Sequence, residues 1–522
     1  MKTTTKRILA TLSALTLTAS LAACGGSSSS TATGESASSA ATTAATKDTL
    51  VVAEETDCGT MAPVGSTIDC RTDIANQVYN GLFRYGYNME IEPQLATSWE
   101  EVDSTHYVFH LREGVKYHDG RDFTAKDVLF SLELAYNDAS SNAIATYLDL
   151  ENCKIIDDYT VELAFTQQNA FNFSKLDALN IVNEEAYNES GDGFATHPIG
   201  TGPYKFESSV PGSTYTFTAF DEYWGEAPAI KNLTLMVIPE ASQRTTSLQT
   251  GEVDINMVLQ TSDYEYMSTQ EGFAVGGKPG YNSETLFFNM TENSPFQEKA
   301  LRQAVCYVVD NEAMNEAAFG GYSYPNTTVW SSGMNDYDET WTSPMYGEPD
   351  FEKAQELVDS VGAPTEPITI LYGGMYQEEI MAQILQANLA KIGITAEVVS
   401  VDQGVLWSSM ADPTAYDIGI MGCSAPSGYG LDSMTAFLTG LNFQGWSGEN
   451  YDKVVELCNA GASAATDEER MQYTKELHDL IVEEVPLYGM VTINKMYAYN
   501  DSLNFDIFGQ YSFRACDLAF SG

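Results

Sequence analysis

Pro93-Gln94-Leu95-Ala96-Thr97-Ser98-Trp99 begins the most informative part of the sequence, and Phe123-Thr124-Ala125-Lys126-Asp127-Val128 ends it. Between them lie Tyr107-Val108-Phe109-His110-Leu111 and then Arg112-Glu113-Gly114-Val115-Lys116-Tyr117-His118-Asp119-Gly120. The first of these two segments carries an apolar or aromatic side chain at every second position, which is the period of a strand with one buried face. The dipeptide Asp119-Gly120 is a turn signal. The stretch therefore predicts a strand followed by a turn.

A helix is predicted where this stretch ends. Thr124 is followed three residues later by Asp127, in the pattern of a capping box. Val128, Leu132 and Tyr136 then repeat at helical spacing.

Further along the chain, strands and helices alternate. A strand at Ile368 to Tyr372, a helix at Glu378 to Lys391 and a strand at Ile394 to Val401 together predict a parallel βαβ unit with a right-handed crossover. Thr466 with Glu469 predicts a second capped helix. No repeat of fixed period is visible, so the sequence predicts an α/β fold.

The first residues have the features of an export signal. Lys2, Lys6 and Arg7 precede an apolar run from Ile8 to Ser20, and small residues lead to Cys24. This arrangement resembles the lipobox of bacterial lipoproteins, which implies a signal peptide at 1–23 and a lipid on Cys24. A plain secretory signal is the alternative. Residues 24–47 are rich in Ser and Thr and are expected to form a flexible tether.

The charge and the cysteines narrow the class of protein further. The 522 residues carry a formal charge of −48, and nucleic acid is therefore excluded as the main partner, because its binding rests on Lys and Arg. Cys58 and Cys70 are close in sequence and are expected outside the membrane, where disulfides persist. The sequence leaves two readings for this pair, a disulfide or two small buried side chains.

A search for catalytic or metal-binding patterns finds none that is specific. His106 and His110 flank a predicted strand and would lie about 13 Å apart, too far for one metal ion. Gly200-Thr201-Gly202-Pro203 lacks the third glycine of a phosphate loop. We therefore expect no enzyme activity, no metal and no cofactor, with a cell-surface hydrolase or a sensor lipoprotein as remote alternatives.

The opening stretch resembles the signature of the bacterial extracellular solute-binding proteins of family 5, the peptide- and nickel-binding group of ABC importers. The likeness continues at Ile199 to Phe206, Tyr223 to Gly225, Leu248 to Ile255, Leu301 to Ala304 with Asp310, and Leu480 to Pro486. It covers nearly the whole chain after the tether, in the same order.

This resemblance implies a two-lobed periplasmic-binding-protein-like fold with an extra inserted domain and a ligand cleft between the lobes. Lobe I would comprise 48–85, 196–290 and 488–522, the inserted domain 86–195, and lobe II 291–487. The chain is expected to be a lipid-anchored monomer on the outer face of the cytoplasmic membrane or in the periplasm. It would capture a small peptide-like solute by hinge closure and deliver it to ABC permease and ATPase subunits.

The resemblance also identifies where the ligand would be held. Peptide-binding members typically carry a Gly-Trp pair, two further residues and an Asp that receives the peptide's amine. Here Cys423 replaces the tryptophan and Pro426 stands near the place of the acid, so Asp432 or Asp69 would have to serve. An oligosaccharide or a metal chelate is the alternative ligand. The expected ligand-binding residues are Asp69, Tyr281, Trp330, Trp407, Cys423, Ser424, Tyr429, Asp432, Trp446 and Tyr488; core or lobe packing is the other reading of the aromatic ones.

Overall fold

A computed structural model describes residues 47–65, 69–86, 91–138, 148–177, 179–374, 377–424, 427–507 and 512–521. The predicted signal peptide, Cys24 and the tether up to residue 46 lie outside the described residues, as does Pro426. Within the described part of the chain, no helix is both long and apolar enough to cross a membrane.

Strands and helices alternate along the chain, as the sequence predicts. The strands are β1 Thr49–Glu54, β2 Phe83–Tyr85, β3 Ile91–Pro93, β4 Ala96–Asp103, β5 His106–Leu111, β6 Lys154–Asp157, β7 Thr160–Ala164, β8 Tyr204–Val210, β9 Thr214–Ala219, β10 Asn232–Val237, β11 Ile255–Asn256, β12 Phe273–Phe288, β13 Tyr324–Pro325, β14 Ile368–Tyr372, β15 Ala396–Ser400, β16 Ile418–Ser424 and β17 Leu487–Asn500. The helices are α1 Asp69–Val78, α2 Ala125–Asn137, α3 Asn172–Asp177, α4 Glu184–Ser190, α5 Ala241–Thr250, α6 Thr261–Ser268, α7 Lys299–Tyr307, α8 Asn311–Phe319, α9 Phe351–Val361, α10 Glu378–Lys391, α11 Gln403–Met410, α12 Gly430–Met434, α13 Glu449–Ala462 and α14 Asp467–Glu484.

One sheet of eleven strands runs through both lobes. Its order is β15-β14-β16-β12-β17-β11-β1-β10-β9-β8, and β13 pairs with β17 beside this path. Strands β12 and β17 are 16 and 14 residues long and pair antiparallel along most of their length. Because β16 pairs with one end of β12 and β11 with the far end of β17, these two strands connect the lobes.

The described residues form four hydrophobic cores. The two lobe cores and a small one around Leu248 and Met267 lie along this sheet. The lobe I core includes Leu50, Val52, Leu233 and Leu235 on the paired strands β1 and β10. The lobe II core extends from Leu286 to Ile493, and Phe171 of the segment predicted as an inserted domain packs into it. The last residues of β12 and the first residues of β17 belong to the lobe II core, so the side-chain packing changes from one core to the next within these two strands. The domain borders themselves stay predictions.

The remaining core belongs to the segment predicted as an inserted domain. Its sheet has the order β4-β5-β7-β6, and Phe109 and Leu111 of β5 are buried, as the alternating pattern predicts. The amide of Thr124 donates to the Asp127 carboxylate at 2.9 Å, which confirms the predicted start of α2. His106 and His110 lie on one strand, also as predicted.

The predicted βαβ unit is confirmed in lobe II. Strands β14 and β15 are parallel neighbours, and α10 lies between them in the chain. At the second predicted cap, the amide of Glu469 donates to the Thr466 hydroxyl, which confirms the capped start of α14. The Glu469 carboxylate accepts from the amide of Ala465 and not from that of Thr466, so the reciprocal half of the capping box is shifted by one residue.

Cys58 and Cys70 lie together in the lobe I core as free thiols. A hydrogen bond joins their side chains; it lowers the pKa of Cys58 and raises that of Cys70. Both interpretations from the sequence are therefore still open, because the thiols are buried and are also close enough to form a disulfide. The disulfide stays a prediction.

Candidate site between the lobes

The pairing between β12 and β17 changes register between Pro279 and Ser283. The segment that follows β13 lies directly against this break: the Ser331 hydroxyl donates to the carbonyl of Gly280. A Cβ atom at Gly333 would stand 2.4 Å from the same carbonyl oxygen, so only glycine fits there. The contact holds the residues after Trp330 beside Tyr281.

The chain that leaves β16 is fixed beside the same segment. Asn335 donates its amide to the carbonyl of Gly428 at 2.8 Å. The Asp336 carboxylate accepts from the amides of Gly430 at 2.6 Å and Leu431 at 2.9 Å, which caps α12. Burial raises the pKa of Asp336, and the two amide hydrogen bonds oppose that shift. Tyr429, which precedes α12, is thereby held in place.

Tyr429 is the centre of a group of side chains from different parts of the fold. Its ring lies 5.3 Å from that of Phe171, and the Arg470 guanidinium lies 4.8 Å from its centroid. After burial, Tyr429 is the next largest influence on the pKa of both Tyr85 and Tyr281, and it raises both. We call these five residues the Tyr429 cluster.

An ion pair lies beside this cluster. The Lys175 ammonium of α3 stands 3.6 Å from the Asp432 carboxylate of α12, with side-chain exposures of 17% and 21%. Burial lowers the pKa of Lys175, and Asp432 opposes this shift. The amide of Ala170 also donates to the carbonyl of Ala462 at 2.7 Å. The inserted domain is thus in contact with lobe II through residues 170–175.

The structure brings four of the predicted ligand residues together. Tyr281 and Tyr429 are members of the cluster, and Asp432 on α12 forms the ion pair with Lys175. The main-chain carbonyl of Ser424 accepts a hydrogen bond from the Ser433 hydroxyl at 2.8 Å. Each of these four keeps some exposed surface. They can therefore contact a solute without rearrangement of the core.

Other predicted ligand residues are packed in the lobe II core. Trp330 is fully buried, Tyr488 stacks on Tyr346 at 4.2 Å, and Trp446 is 6% exposed. Cys423 is also buried, with its thiol 3.3 Å from the Ser433 hydroxyl. In this conformation Trp330, Trp446 and Tyr488 therefore pack within lobe II, which is the alternative that the sequence left open for the aromatic candidates.

The remaining two predicted residues lie elsewhere. Trp407 is 46% exposed on α11, with its ring stacked on Phe437 at 6.1 Å. Asp69 is the first residue of α1, and its side chain is outside the described part of the structure.

Four residues of the site were not singled out by sequence reasoning, namely Tyr85, Phe171, Lys175 and Arg470. Phe171 and Lys175 belong to a short helical segment with no strong motif. Arg470 follows the Thr466 capping box, which predicts a helix but not which side chain will face Tyr429. Only the contact between the inserted domain and lobe II reveals them.

The site offers recognition chemistry and no cluster of metal ligands. Across the described ranges, no group of three or more His, Cys, Asp or Glu side chains is arranged to hold a metal ion. Aromatic rings, one hydroxyl and a paired carboxylate can bury and orient a small solute.

Comparison with known proteins gives a consistent result. The family model described as bacterial extracellular solute-binding proteins, family 5 Middle, matches residues 90–445. The glutathione-binding protein GsiB of Salmonella paratyphi A is 26% identical over 477 residues, which covers 88% of this chain and 91% of the relative. The dipeptide-binding protein of Escherichia coli is 27% identical over 456 residues and covers 78% and 82%, respectively.

Solved structures show the same fold. The ABC transporter substrate-binding protein CtaP of Listeria monocytogenes superposes with a TM-score of 0.80 at 21% identity, covering 91% of this chain and all of that chain. The periplasmic binding protein DppA of Helicobacter pylori, solved with the peptide STSA, gives a TM-score of 0.75 at 21% identity, with coverages of 91% and 99%. The two-lobed α/β fold is therefore confirmed.

Proposed function

We propose a function for this chain from one premise, which is that it belongs to the bacterial extracellular solute-binding proteins of family 5. It is the lipid-anchored substrate-binding protein of an ABC importer. It captures a small peptide-like solute between its lobes and delivers that solute to the permease. It performs no chemistry on the solute.

The observation that carries this proposal is the position of the Tyr429 cluster. Its members come from β2, the inserted domain, the break in β12 and lobe II, so a solute bound among them would lie where these parts of the fold meet. A ligand that contacts both lobes favours the closed form by its differential affinity for that form. Strands β12 and β17, which join the lobes, would act as the hinge.

The ligand class follows from the relatives and from the site. Relatives are named for binding glutathione and dipeptides, which are small peptide-like solutes. Tyr281 and Tyr429 would bury the apolar parts of the solute, while Ser424 and Asp432 would contact its polar groups. An oligosaccharide or a metal chelate is the second candidate; a heme-binding relative from Haemophilus influenzae, 27% identical over 454 residues, favours the chelate.

Native mass spectrometry of the chain from residue 25 onward, made without lipid and purified gently, tests the ligand class. We expect a bound species with peptide-like mass that denaturation releases. Hexose-spaced masses or a metal-containing species would contradict the peptide assignment. Incubation with the released solute should leave it intact; a cleaved product would contradict the non-catalytic role.

The position of the site is tested by Tyr429→Ala. Loss of a buried aromatic anchor costs about 1–2 kcal/mol or more, so we expect the affinity for the identified solute to fall by about tenfold or more. Tyr266→Ala is the matched control, because Tyr266 is 52% exposed on α6. Equal affinities for the two variants would place the solute elsewhere.

The anchor and the importer require tests in cells. Cys24→Ser should release the chain from the membrane fraction, because acyl chains hold a protein there without a spanning helix. Deletion of the gene that encodes this chain should abolish uptake of the solute by the cells. A membrane-bound Cys24→Ser chain would contradict the lipid anchor, and unchanged uptake would favour a sensor role.

A further inference from the structure

We propose that Lys175 is a specificity-determining residue, because it neutralises Asp432 and so disfavours solutes with a free ammonium group at the Tyr429 end of the site. The site instead accepts an end that is uncharged, such as an acylated amine, or anionic. This inference rests on the proposed function and defines its substrate class more narrowly.

The ion pair is a feature of the contact between the inserted domain and lobe II. Lys175 lies one helical turn after Phe171, whose ring contacts Tyr429, and Asp432 lies three residues after Tyr429. The aromatic contact and the ion pair are therefore side by side. Because both charged side chains are largely removed from water, their attraction is screened less than that of a surface pair.

The charges around Tyr429 disfavour a solute ammonium in addition to the ammonium of Lys175. Arg470 is 8% exposed, and its guanidinium faces the Tyr429 ring. Its Nη1 atom pairs with Asp467 at 2.8 Å, whereas its Nε atom has no hydrogen-bond partner among the described residues. A buried donor without a partner suits an acceptor on the solute, such as an amide carbonyl or a carboxylate.

Within the part of the chain that the structure describes, the carboxylates around Tyr429 and Tyr85 have partners. Asp432 has Lys175, Asp467 has Arg470, Asp336 accepts two main-chain amides, and Asp177 accepts from the amide of Tyr85 at 2.9 Å. Among these described groups, a solute ammonium would have to displace Lys175 or stay uncompensated. An uncompensated buried charge is costly, so selection against free amines follows.

A pair of probes that differ only at the amine tests this inference. Calorimetric titration compares trialanine with N-acetyl-trialanine on the wild-type chain, on Lys175→Met and on Lys353→Met. Lys353 is the matched control, because it forms an exposed surface pair with Glu356.

We expect the wild-type chain and Lys353→Met to bind the acetylated probe at least as tightly as the free amine. Lys175→Met should shift the ratio of the two affinities toward the free amine by about tenfold, and adding Asp432→Asn should remove that gain. If Lys175→Met lowers the affinities for both probes by the same factor, Lys175 only supports closure of the lobes and the inference is wrong.

A second measurement separates this inference from the proposed function. Lysines methylated with ¹³C-formaldehyde report their amine pKa by NMR, and Asp432→Asn should lower the pKa of Lys175 alone. If the pKa of Lys175 is unchanged in Asp432→Asn, the ion pair does not form and the inference is wrong. If neither probe binds to any variant, the proposal that the solute is peptide-like is contradicted. The NMR result still shows whether Lys175 forms the ion pair with Asp432.

Discussion

Gly333 lies against the main chain of Gly280 at the break in β12, so closely that a Cβ atom on Gly333 would stand 2.4 Å from the Gly280 carbonyl oxygen. That oxygen also accepts the hydroxyl of Ser331. The relationship fixes one side of the proposed cleft to the strand that joins the lobes.

Gly333→Ala should therefore destabilise the chain and weaken solute binding. A main-chain atom cannot move aside as a flexible side chain would, so we expect the free energy of unfolding to fall by about 1–3 kcal/mol. Gly404→Ala is the control, because a Cβ atom there meets nothing within 4 Å; that variant should be neutral or up to about 1 kcal/mol more stable. Chemical denaturation checks both, and equal stabilities would contradict the close contact.

The buried carboxyl of Glu284 predicts a dependence of stability on pH. Burial and the neighbouring Glu378 carboxylate raise the pKa of Glu284 well above its usual value. Its stabilising contribution is therefore complete below the unfolded pKa of about 4.3 and is lost as the pH rises toward the folded pKa.

Glu284→Gln should remove this loss, because glutamine keeps a donor for Glu378 and cannot ionise. We expect the difference in Tm between variant and wild type to increase from pH 5 to pH 8. Exposed Glu366→Gln should give a constant difference over the same range. Parallel Tm curves for Glu284→Gln and wild type would show that Glu284 is not held in its neutral form.

Arg302 is predicted to be essential for the stability of lobe II. It is 2% exposed, burial lowers its pKa to about 10, and its guanidinium donates to the carbonyls of Phe296, Gln297, Glu484 and Val485. Arg302→Met would leave these buried acceptors without donors, at a cost of about 3 kcal/mol or more.

Arg302→Lys should recover only part of that loss, because an ammonium does not have the planar fork that reaches both chain segments. Arg121→Met, at a surface pair with Asp119 and Glu189, should cost less than about 1 kcal/mol. Thermal unfolding of the three variants checks this order, and full stability of Arg302→Lys would contradict it.

The adjacent thiols of Cys58 and Cys70 predict a disulfide in the exported protein. The bond would close a loop of about 12 residues, for which chain entropy gives about 3 kcal/mol. We expect both cysteines to resist alkylation in the unfolded exported chain until a reductant is added, and Cys70→Ser to lower Tm. Cys153, which is partly exposed, serves as the free-thiol reference. Alkylation of Cys58 and Cys70 without reductant would leave them as buried thiols.

Much of the fold could be predicted from the sequence because local patterns specify local structure. The alternation through Leu111, the cap at Thr124 and the βαβ pattern after Ile368 each depend on neighbours within a few residues, and the structure confirms all three. The order of the matching motifs was enough to identify the family.

The composition of the site was only partly predictable. Ser424, Tyr429 and Asp432 were predicted because they lie in the segment that resembles the ligand-binding stretch of the family, and Tyr281 because it is an aromatic side chain that could line the cleft. Sequence reasoning could not separate them from Trp330 and Tyr488, which are equally aromatic and equally close to such segments but are buried in a core. Burial depends on what packs above a side chain, and that surrounding structure is distant in sequence.

The α/β class, the family and the order of the elements can be predicted from the sequence, because they depend on periodicity, capping and turn residues along the chain. The pairing of Lys175 in the inserted domain with Asp432 in lobe II, 257 positions apart, and the approach of Arg470 to Tyr429 are evident only in the folded structure. Such contacts depend on how separate cores come together around β12 and β17. Charge and hydrogen-bond complementarity between distant segments therefore defined the site.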